Sequence, residues 1–94
     1  MATVTINFVG GWRTFLGVRT VTIEVSTLAE ARDFVEKNYG PVYHQKLAFR
    51  GMQKKQSVWE SSNIMLNGRS LKKAGEPIVQ DGDRIDLIPI VAGG

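Results

Sequence analysis

The sequence predicts an α+β domain in which one main helix packs on one face of a mixed sheet of four or five strands. Two stretches near the N-terminus alternate polar and apolar residues, and a helical pattern follows them directly. Strand-like runs then return near the C-terminus, after a crossover. This order of elements is typical of α+β folds, and we expect the last strand to lie centrally, beside the first.

The strands are predicted from alternation and from turn residues. Residues 3–8 read TVTINF and residues 20–25 read TVTIEV, so apolar side chains share one face of each run. The glycine-containing segment between them is expected to be a loop, which gives an antiparallel hairpin with a long connection. The short run 64–66, which leads into an Asn-Gly turn, and the run 84–90 predict two further strands.

The helix is predicted from its cap and its apolar spacing. A Thr-x-x-Glu capping box begins at Thr27, and apolar residues recur at helical spacing up to Tyr39. The Gly-Pro pair at 40–41 is predicted to end the helix, which is therefore expected over about 27–39. Residues 41–63 show no sustained period, so a short helix and an irregular crossover are both open.

The length and composition of the chain indicate one domain, which we expect over residues 1–90, followed by a flexible tail over 91–94. The 94 residues include no cysteine, which excludes disulfides, thiolate metal sites and a cysteine nucleophile or persulfide. Neither a signal peptide nor a run of membrane-spanning length is present, so a cytoplasmic protein without a membrane partner is expected. The net charge of +3 is spread thinly. The lysine pairs at 54–55 and 72–73 are interpreted as solvated loop residues, not as a nucleic-acid site.

Residues suited to catalysis are few. His44 is the single histidine and has no co-ligands at metal-binding spacing. Asp81 and Asp83 flank a glycine, which is typical of a tight turn, and the further ligands of a calcium loop are missing. Phosphate- and dinucleotide-binding motifs are absent. We therefore expect no bound cofactor, no metal and no enzyme activity from this chain alone.

The sequence ends on IPIVAGG, a strand end followed by two glycines. Glycine has no side chain to block a narrow channel and accepts almost any backbone conformation. Residues 90–94 would reach about 16 Å when extended, enough to enter another protein's active site. If Ile85 and Leu87 point inward, Asp86 and Ile88 point outward. Ile88 is then either an exposed apolar contact for a partner or covered by the crossover.

The final third of the chain carries a family resemblance. IMLNGRSL and PIVQDGDRIDLIPIVAGG together contain a strand with an Asn-Gly turn, an Asp-Gly-Asp turn, an apolar strand, a proline and a terminal Gly-Gly. This segment resembles the MoaD/ThiS family of ubiquitin-like β-grasp sulfur carriers, most closely the small subunit of molybdopterin synthase (MoaD). Residues 3–40 are compatible with the same fold.

The resemblance implies a function for the tail. An adenylyltransferase similar to ubiquitin-activating enzymes would use ATP to adenylate Gly94, which is then converted to a thiocarboxylate. The tail would enter the catalytic large subunit of molybdopterin synthase in a hetero-oligomer and donate sulfur for molybdenum- or tungsten-cofactor biosynthesis. Ile88 would lie at the docking surface. The residues threaded into the partner would be Pro89, Ile90, Val91, Ala92 and Gly93.

Three other functions stay open at this point. A carrier could deliver sulfur for thiazole synthesis or tRNA thiolation through the same tail chemistry. A ubiquitin-like modifier would instead join Gly94 to a lysine of a target protein. A β-grasp module that binds RNA or protein would not use the tail at all.

Overall fold

The computed structural model describes residues 1–49, 51, 57–70 and 78–90. Within these ranges the strands form a five-stranded sheet in the order β2-β1-β5-β3-β4, in which β1 and β5 are parallel and the other neighbours antiparallel. The mixed sheet confirms the predicted α+β class and the central place of the last strand. The elements are β1 (Ala2–Phe8), α1 (Gly11–Leu16), β2 (Thr20–Val25), α2 (Leu28–Phe49), β3 (Ser62–Leu66), β4 (Arg69–Ser70) and β5 (Arg84–Pro89).

The hydrophobic core lies between α2 and one face of the sheet. Alternation in the two central strands sends Ile6 and Phe8 of β1 and Ile85 and Leu87 of β5 to this face, where all four are fully buried. Their burial removes the largest apolar side chains of the sheet from water, which is the main stabilising term for a domain of this size. The strand that leads into the tail is therefore anchored in the core by Ile85 and Leu87.

Helix α2 begins at the predicted cap. The Glu30 backbone N–H donates to the Thr27 hydroxyl at 3.2 Å, and the Thr27 N–H donates to the Glu30 carboxylate at 3.1 Å. Both partners thus satisfy backbone groups that the first helical turn leaves free. The predicted capping box is confirmed.

The predicted end of this helix at residues 40–41 is wrong. The helix runs through Pro41 to Phe49, for 22 residues in all. Tyr43 and Leu47 are buried and continue, in steps of four, the apolar stripe that includes Val35. Burial of these side chains against the core outweighs the backbone hydrogen bond that the proline cannot donate.

A second correction concerns the connection between β1 and β2, which was predicted to be a loop. Residues 11–16 form the short helix α1, whose Trp12 and Leu16 are buried. The turn before it closes with a hydrogen bond from the Trp12 N–H to the Val9 carbonyl at 3.3 Å. Gly17 ends the helix in the left-handed conformation, with φ of 73°.

The two predicted turns near the C-terminus are present and contact each other. Asn67 and Gly68 both have positive φ, as a two-residue hairpin turn of type I′ requires. The Asp83 carboxylate accepts from the Asn67 side-chain amide and from the Gln80 N–H, each at 2.8 Å. Asp81 accepts from the Thr3 N–H at 2.7 Å, which ties the same turn to β1.

The boundary between a domain over 1–90 and a tail over 91–94 stays a prediction, because residues 91–94 lie outside the described residues.

Candidate functional site

The candidate site is the place where the chain leaves β5. Pro89 is paired with Ser62 of β3, and the Ile90 N–H donates to the Ser61 carbonyl at 2.9 Å. The side chain of Ile90 is 49% exposed. Backbone pairing to β3 therefore holds the chain as far as Ile90, the last described residue.

The turn that precedes α1 flanks the other side of this exit. The Val9 N–H donates to the Leu87 carbonyl at 3.0 Å, so the end of β1 stays beside β5 up to this point. Gly10 follows with φ of 59° and ψ of −129°, and a Cβ built there would lie 3.9 Å from Cγ of Pro89. The exit is thus bordered by β3 on one side and by Gly10 on the other.

Ile88 lies on the sheet face opposite α2, as predicted, but it is half-buried. It pairs with the exposed Asn63 of β3, and the pairing of Met65 with Asp86 places the half-buried Met65 on the same face. Asp86 also points to this face, but it is only 8% exposed.

The burial of Asp86 is explained by its two partners. The side-chain amide of Asn7 donates to its carboxylate at 3.1 Å, and Nε of Arg84 lies 3.2 Å from the same oxygen. A buried carboxylate needs such partners, because burying an unpaired charge is costly. Ile88 therefore lies beside a compensated polar cluster and not beside a free charge.

The remaining predicted site residues, Val91, Ala92, Gly93 and Gly94, lie outside the described residues. So do the lysine pairs at 54–55 and 72–73. The reactive terminus and the threaded part of the tail beyond Ile90 stay predictions.

The other side chains considered for chemistry are placed elsewhere. His44 is exposed on α2, and Asp81 and Asp83 serve the turn before β5. In the part of the chain that the structure describes, no group of His, Asp and Glu side chains is arranged to hold a metal ion. The helices in the same ranges also lack the combined length and apolar character of a membrane span.

Comparison with known proteins decides the family. The ThiS family model matches residues 6–94. The chain belongs to the ThiS family. This family consists of small ubiquitin-like sulfur carriers that are not themselves catalytic, which confirms the resemblance described for residues 64–94. No curated protein sequence matches the chain.

Solved structures confirm the ubiquitin-like β-grasp fold of this ThiS-family chain. The crystal structure of SAMP1 from Haloferax volcanii has a TM-score of 0.68 at 21% identity, covering 99% of this chain and 100% of that one. One chain of the complex of subunits 1 and 2 of the molybdopterin-converting factor from Helicobacter pylori has a TM-score of 0.63 at 22% identity, covering 98% of this chain and 99% of that one. The Amycolatopsis orientalis BexX/CysO complex gives 0.64 at 26% identity, with 97% and 99% coverage.

Sequence reasoning missed the residues that build the exit. Trp12 and Ser62, which meet there, are 50 positions apart, and nothing local marks the contact. The helix that carries Trp12 did leave a signal, because Trp12, Phe15 and Leu16 have the i, i+3, i+4 spacing of a helical face. The flanking glycines, interpreted as loop residues, begin and end that helix instead.

Proposed function

We propose that this ThiS-family chain is a sulfur carrier that works through the carboxylate of Gly94. The observation that carries the proposal is the family match, which extends to residue 94 and so includes the glycine pair after β5. The fold supports it, because the tail follows directly from the central strand, and the chain is hydrogen-bonded to the fold up to Ile90, the last described residue. Four residues beyond Ile90 would extend by about 13 Å.

The proposed chemistry has two steps. The Gly94 carboxylate attacks the α-phosphorus of ATP on an adenylyltransferase, which forms the acyl-adenylate and releases pyrophosphate. A sulfide sulfur then attacks the acyl carbon and displaces AMP, which leaves the thiocarboxylate. If a persulfide attacks instead, the product is an acyl disulfide, and a second thiol must cleave its S–S bond to release the thiocarboxylate and form a new disulfide. The carrier holds no cofactor in this scheme, and ATP is used by the activating partner, which we place with the carrier in the cytoplasm.

For the sulfur acceptor we propose the molybdopterin precursor, with this chain as the small subunit of molybdopterin synthase. Similarity to the Helicobacter pylori complex supports this assignment, because one of its two chains is subunit 1 of the molybdopterin-converting factor. A catalytic large subunit would take up the tail beyond Ile90, with Ile88 and Ile90 at its rim. Both side chains lie next to the exit, half-buried and exposed respectively.

A second candidate is a carrier for another acceptor or a protein modifier. SAMP1 is a small archaeal modifier protein, and the proteins of that name from Haloferax volcanii and Methanosarcina acetivorans cover 99% and 100% of this chain. The CysO complex is similar over 97% of it. A carrier for another acceptor would form the same thiocarboxylate at Gly94 and pass its sulfur to a different molecule. In a modifier, the activated Gly94 would instead be attacked by a lysine amine.

The test is an intact-mass measurement after incubation with a cognate adenylyltransferase, ATP and a sulfide source. A mass gain equal to the replacement of one oxygen by sulfur, located at Gly94, supports the carrier. Deletion of Gly93 and Gly94 is the control and should abolish the gain. An unchanged mass, with an adenylyltransferase shown to be active, would refute the proposal.

The acceptor is tested next with the thiocarboxylated protein. Release of sulfur to a pterin precursor in the presence of the large subunit supports the molybdopterin role. Formation of a covalent adduct to a lysine, with the large subunit having no effect, would support the modifier role instead.

A further inference from the structure

A compact turn lies directly beside the exit of β5. We call residues 57–62 the Ser57–Ser62 turn. The Ser61 N–H donates to the Ser57 carbonyl at 2.9 Å, and the Ser62 N–H donates to the Trp59 carbonyl at 3.1 Å. At its start, Ser57 and Glu60 exchange two hydrogen bonds of 3.1 and 3.2 Å. Together these bonds give the turn a defined shape.

Both helices hold this turn in place. The indole Nε1–H of Trp12 in α1 donates to the Ser62 hydroxyl at 2.9 Å, and that hydroxyl donates in turn to the Val58 carbonyl at 2.8 Å. On the side of α2, the Glu36 carboxylate accepts from the Trp59 N–H at 2.8 Å. Trp12 is only 5% exposed and packs edge-on against Tyr43 of α2, with ring centroids 5.2 Å apart.

The same turn anchors the tail. The side chain of Ser62 accepts the hydrogen bond from Trp12. The preceding residue is Ser61, and its carbonyl accepts from the Ile90 N–H. Both serines are buried, at 7% and 8% exposure, so water does not compete for these hydrogen bonds. One continuous path of hydrogen bonds and one peptide unit therefore connect the Trp12 indole to the root of the tail.

We infer that Trp12 and Ser62 are positioning residues, which fix the direction in which the tail leaves the fold. This inference rests on the proposed function, in which Gly94 must reach a partner's active site. Hydrogen bonds of good geometry are directional, so this path defines an angle as well as a distance. When a partner's channel holds the four residues beyond Ile90 extended over about 13 Å, a rotation of about 5° at Ile90 would move Gly94 by about 1 Å.

A displacement of that size matters for the rate. A reacting group misplaced by about 1 Å can lose about a hundredfold in rate, because the attacking atoms no longer meet in a reactive geometry. The residues proposed to contact the partner, Ile88 and Ile90, keep their side chains in these variants, so binding of the folded domain should change little. We therefore expect a positioning defect to lower kcat while KM stays nearly constant.

The first test needs no partner protein. Trp12→Phe keeps a buried ring and removes the indole donor, and we expect the Ile90 amide to exchange its hydrogen at least tenfold faster in this variant. The Thr5 N–H, which donates to the Asp83 carbonyl at 3.0 Å just before the start of β5, is the internal reference. Its exchange rate should stay within about twofold, which separates local opening from global unfolding.

Trp59→Phe is the matched control. Trp59 is half-buried, and it contacts Glu36 through its backbone N–H and not through its indole, so the substitution leaves that hydrogen bond intact. Exchange at Ile90 should then equal that of the unmodified protein. Equal exchange at Ile90 in Trp12→Phe and Trp59→Phe would overturn the inference.

The second test measures thiocarboxylate formation with the adenylyltransferase. For Trp12→Phe we expect kcat to fall at least tenfold with KM within about twofold. Ser62→Ala should behave in the same way, and Ser62→Thr, which keeps the hydroxyl, should recover most of the rate. An unchanged kcat in folded Trp12→Phe and Ser62→Ala would overturn the inference.

The two proposals fail in different ways. If the unmodified protein gains no sulfur, the proposed function is wrong, whereas the exchange of the Ile90 amide still decides whether Trp12 fixes the root of the tail. If the protein without substitutions gains sulfur at Gly94 and Trp12→Phe gains it at the same rate, the carrier function stands and the positioning role is refuted.

Discussion

Two adjacent glycines beside the tail, Gly10 and Gly11, should respond to alanine in opposite ways. Gly10 has φ of 59° and ψ of −129°, a combination that residues with a Cβ rarely adopt and that corresponds to the first central position of a type II′ turn. Gly11 has no positive φ and is the first residue of α1. The pair therefore separates the cost of backbone conformation from the mere addition of a methyl group.

The magnitude follows from the backbone and not from a clash. A Cβ at Gly10 would lie 3.9 Å from Pro89, an ordinary contact distance, and a Cβ at Gly11 would meet nothing within 4 Å. Forcing alanine into the conformation of Gly10 should cost about 2 kcal/mol. Gly11→Ala should stabilise the protein by about 0.5 kcal/mol, because alanine loses less backbone entropy in a helix.

Thermal and urea unfolding measure this difference. A gap of about 2.5 kcal/mol between the two variants corresponds to a difference in Tm of about 10–20 °C for a domain of this size. The unmodified protein should lie between them, close to Gly11→Ala. Urea unfolding should show the same order at an unchanged slope, which indicates that the denatured state is the same.

Equal stability of the two variants would refute this reasoning. That result would mean that the turn before α1 relaxes into another conformation at little cost. The hydrogen bond from Val9 to Leu87 would then not depend on the conformation of Gly10. The same would hold for the position of this turn beside Pro89, where the chain leaves β5. A lower stability of Gly11→Ala than of Gly10→Ala would contradict the assignment of α1 itself.

Three further predictions concern the helix and the tail. Thr27→Ala should lower the free energy of unfolding by about 1 kcal/mol, because the capping hydroxyl is lost, while Thr27→Ser should be nearly neutral; urea unfolding of both variants checks this. Pro41→Ala should raise the free energy of unfolding by about 1–2 kcal/mol, because the helix gains a backbone hydrogen bond. The higher conformational entropy of the unfolded chain offsets only part of this gain. A fall in Tm would show that the core requires the proline. Deleting residues 93–94 should leave Tm within error and abolish the gain of sulfur by mass spectrometry, and a large loss of stability would contradict the role of the tail.

The sequence predicted those elements that depend on neighbours along the chain. The cap at Thr27, the alternation in β1 and β2, and the turns at Asn67 and Asp83 all follow from local hydrogen bonding and from the period of apolar residues. The central place of the last strand beside β1 was also predicted, because the order of elements leaves few ways to cover one apolar face. The structure adds that this pair is parallel. Observed bounds differ by one or two residues, with β3 beginning at Ser62 and β5 ending at Pro89.

Local signals failed where tertiary packing competes with them. The Gly-Pro pair at 40–41 is a common helix end, yet α2 continues because Tyr43 and Leu47 gain burial against the core. The burial of Asp86 likewise could not be predicted from β5 alone. It depends on Asn7, which the parallel pairing with β1 places directly beside it.

The sequence by itself determined the carrier family and led to the chemistry proposed for Gly94. Both inferences rest on contiguous residues near the C-terminus. Only the tertiary structure decided what surrounds the root of the tail. Trp12, Ser62 and Ile90 belong to three separate segments, and their hydrogen bonds form only when the sheet and both helices pack together. Such contacts leave no periodic signal in the chain, since each depends on the direction of one side chain in a finished fold.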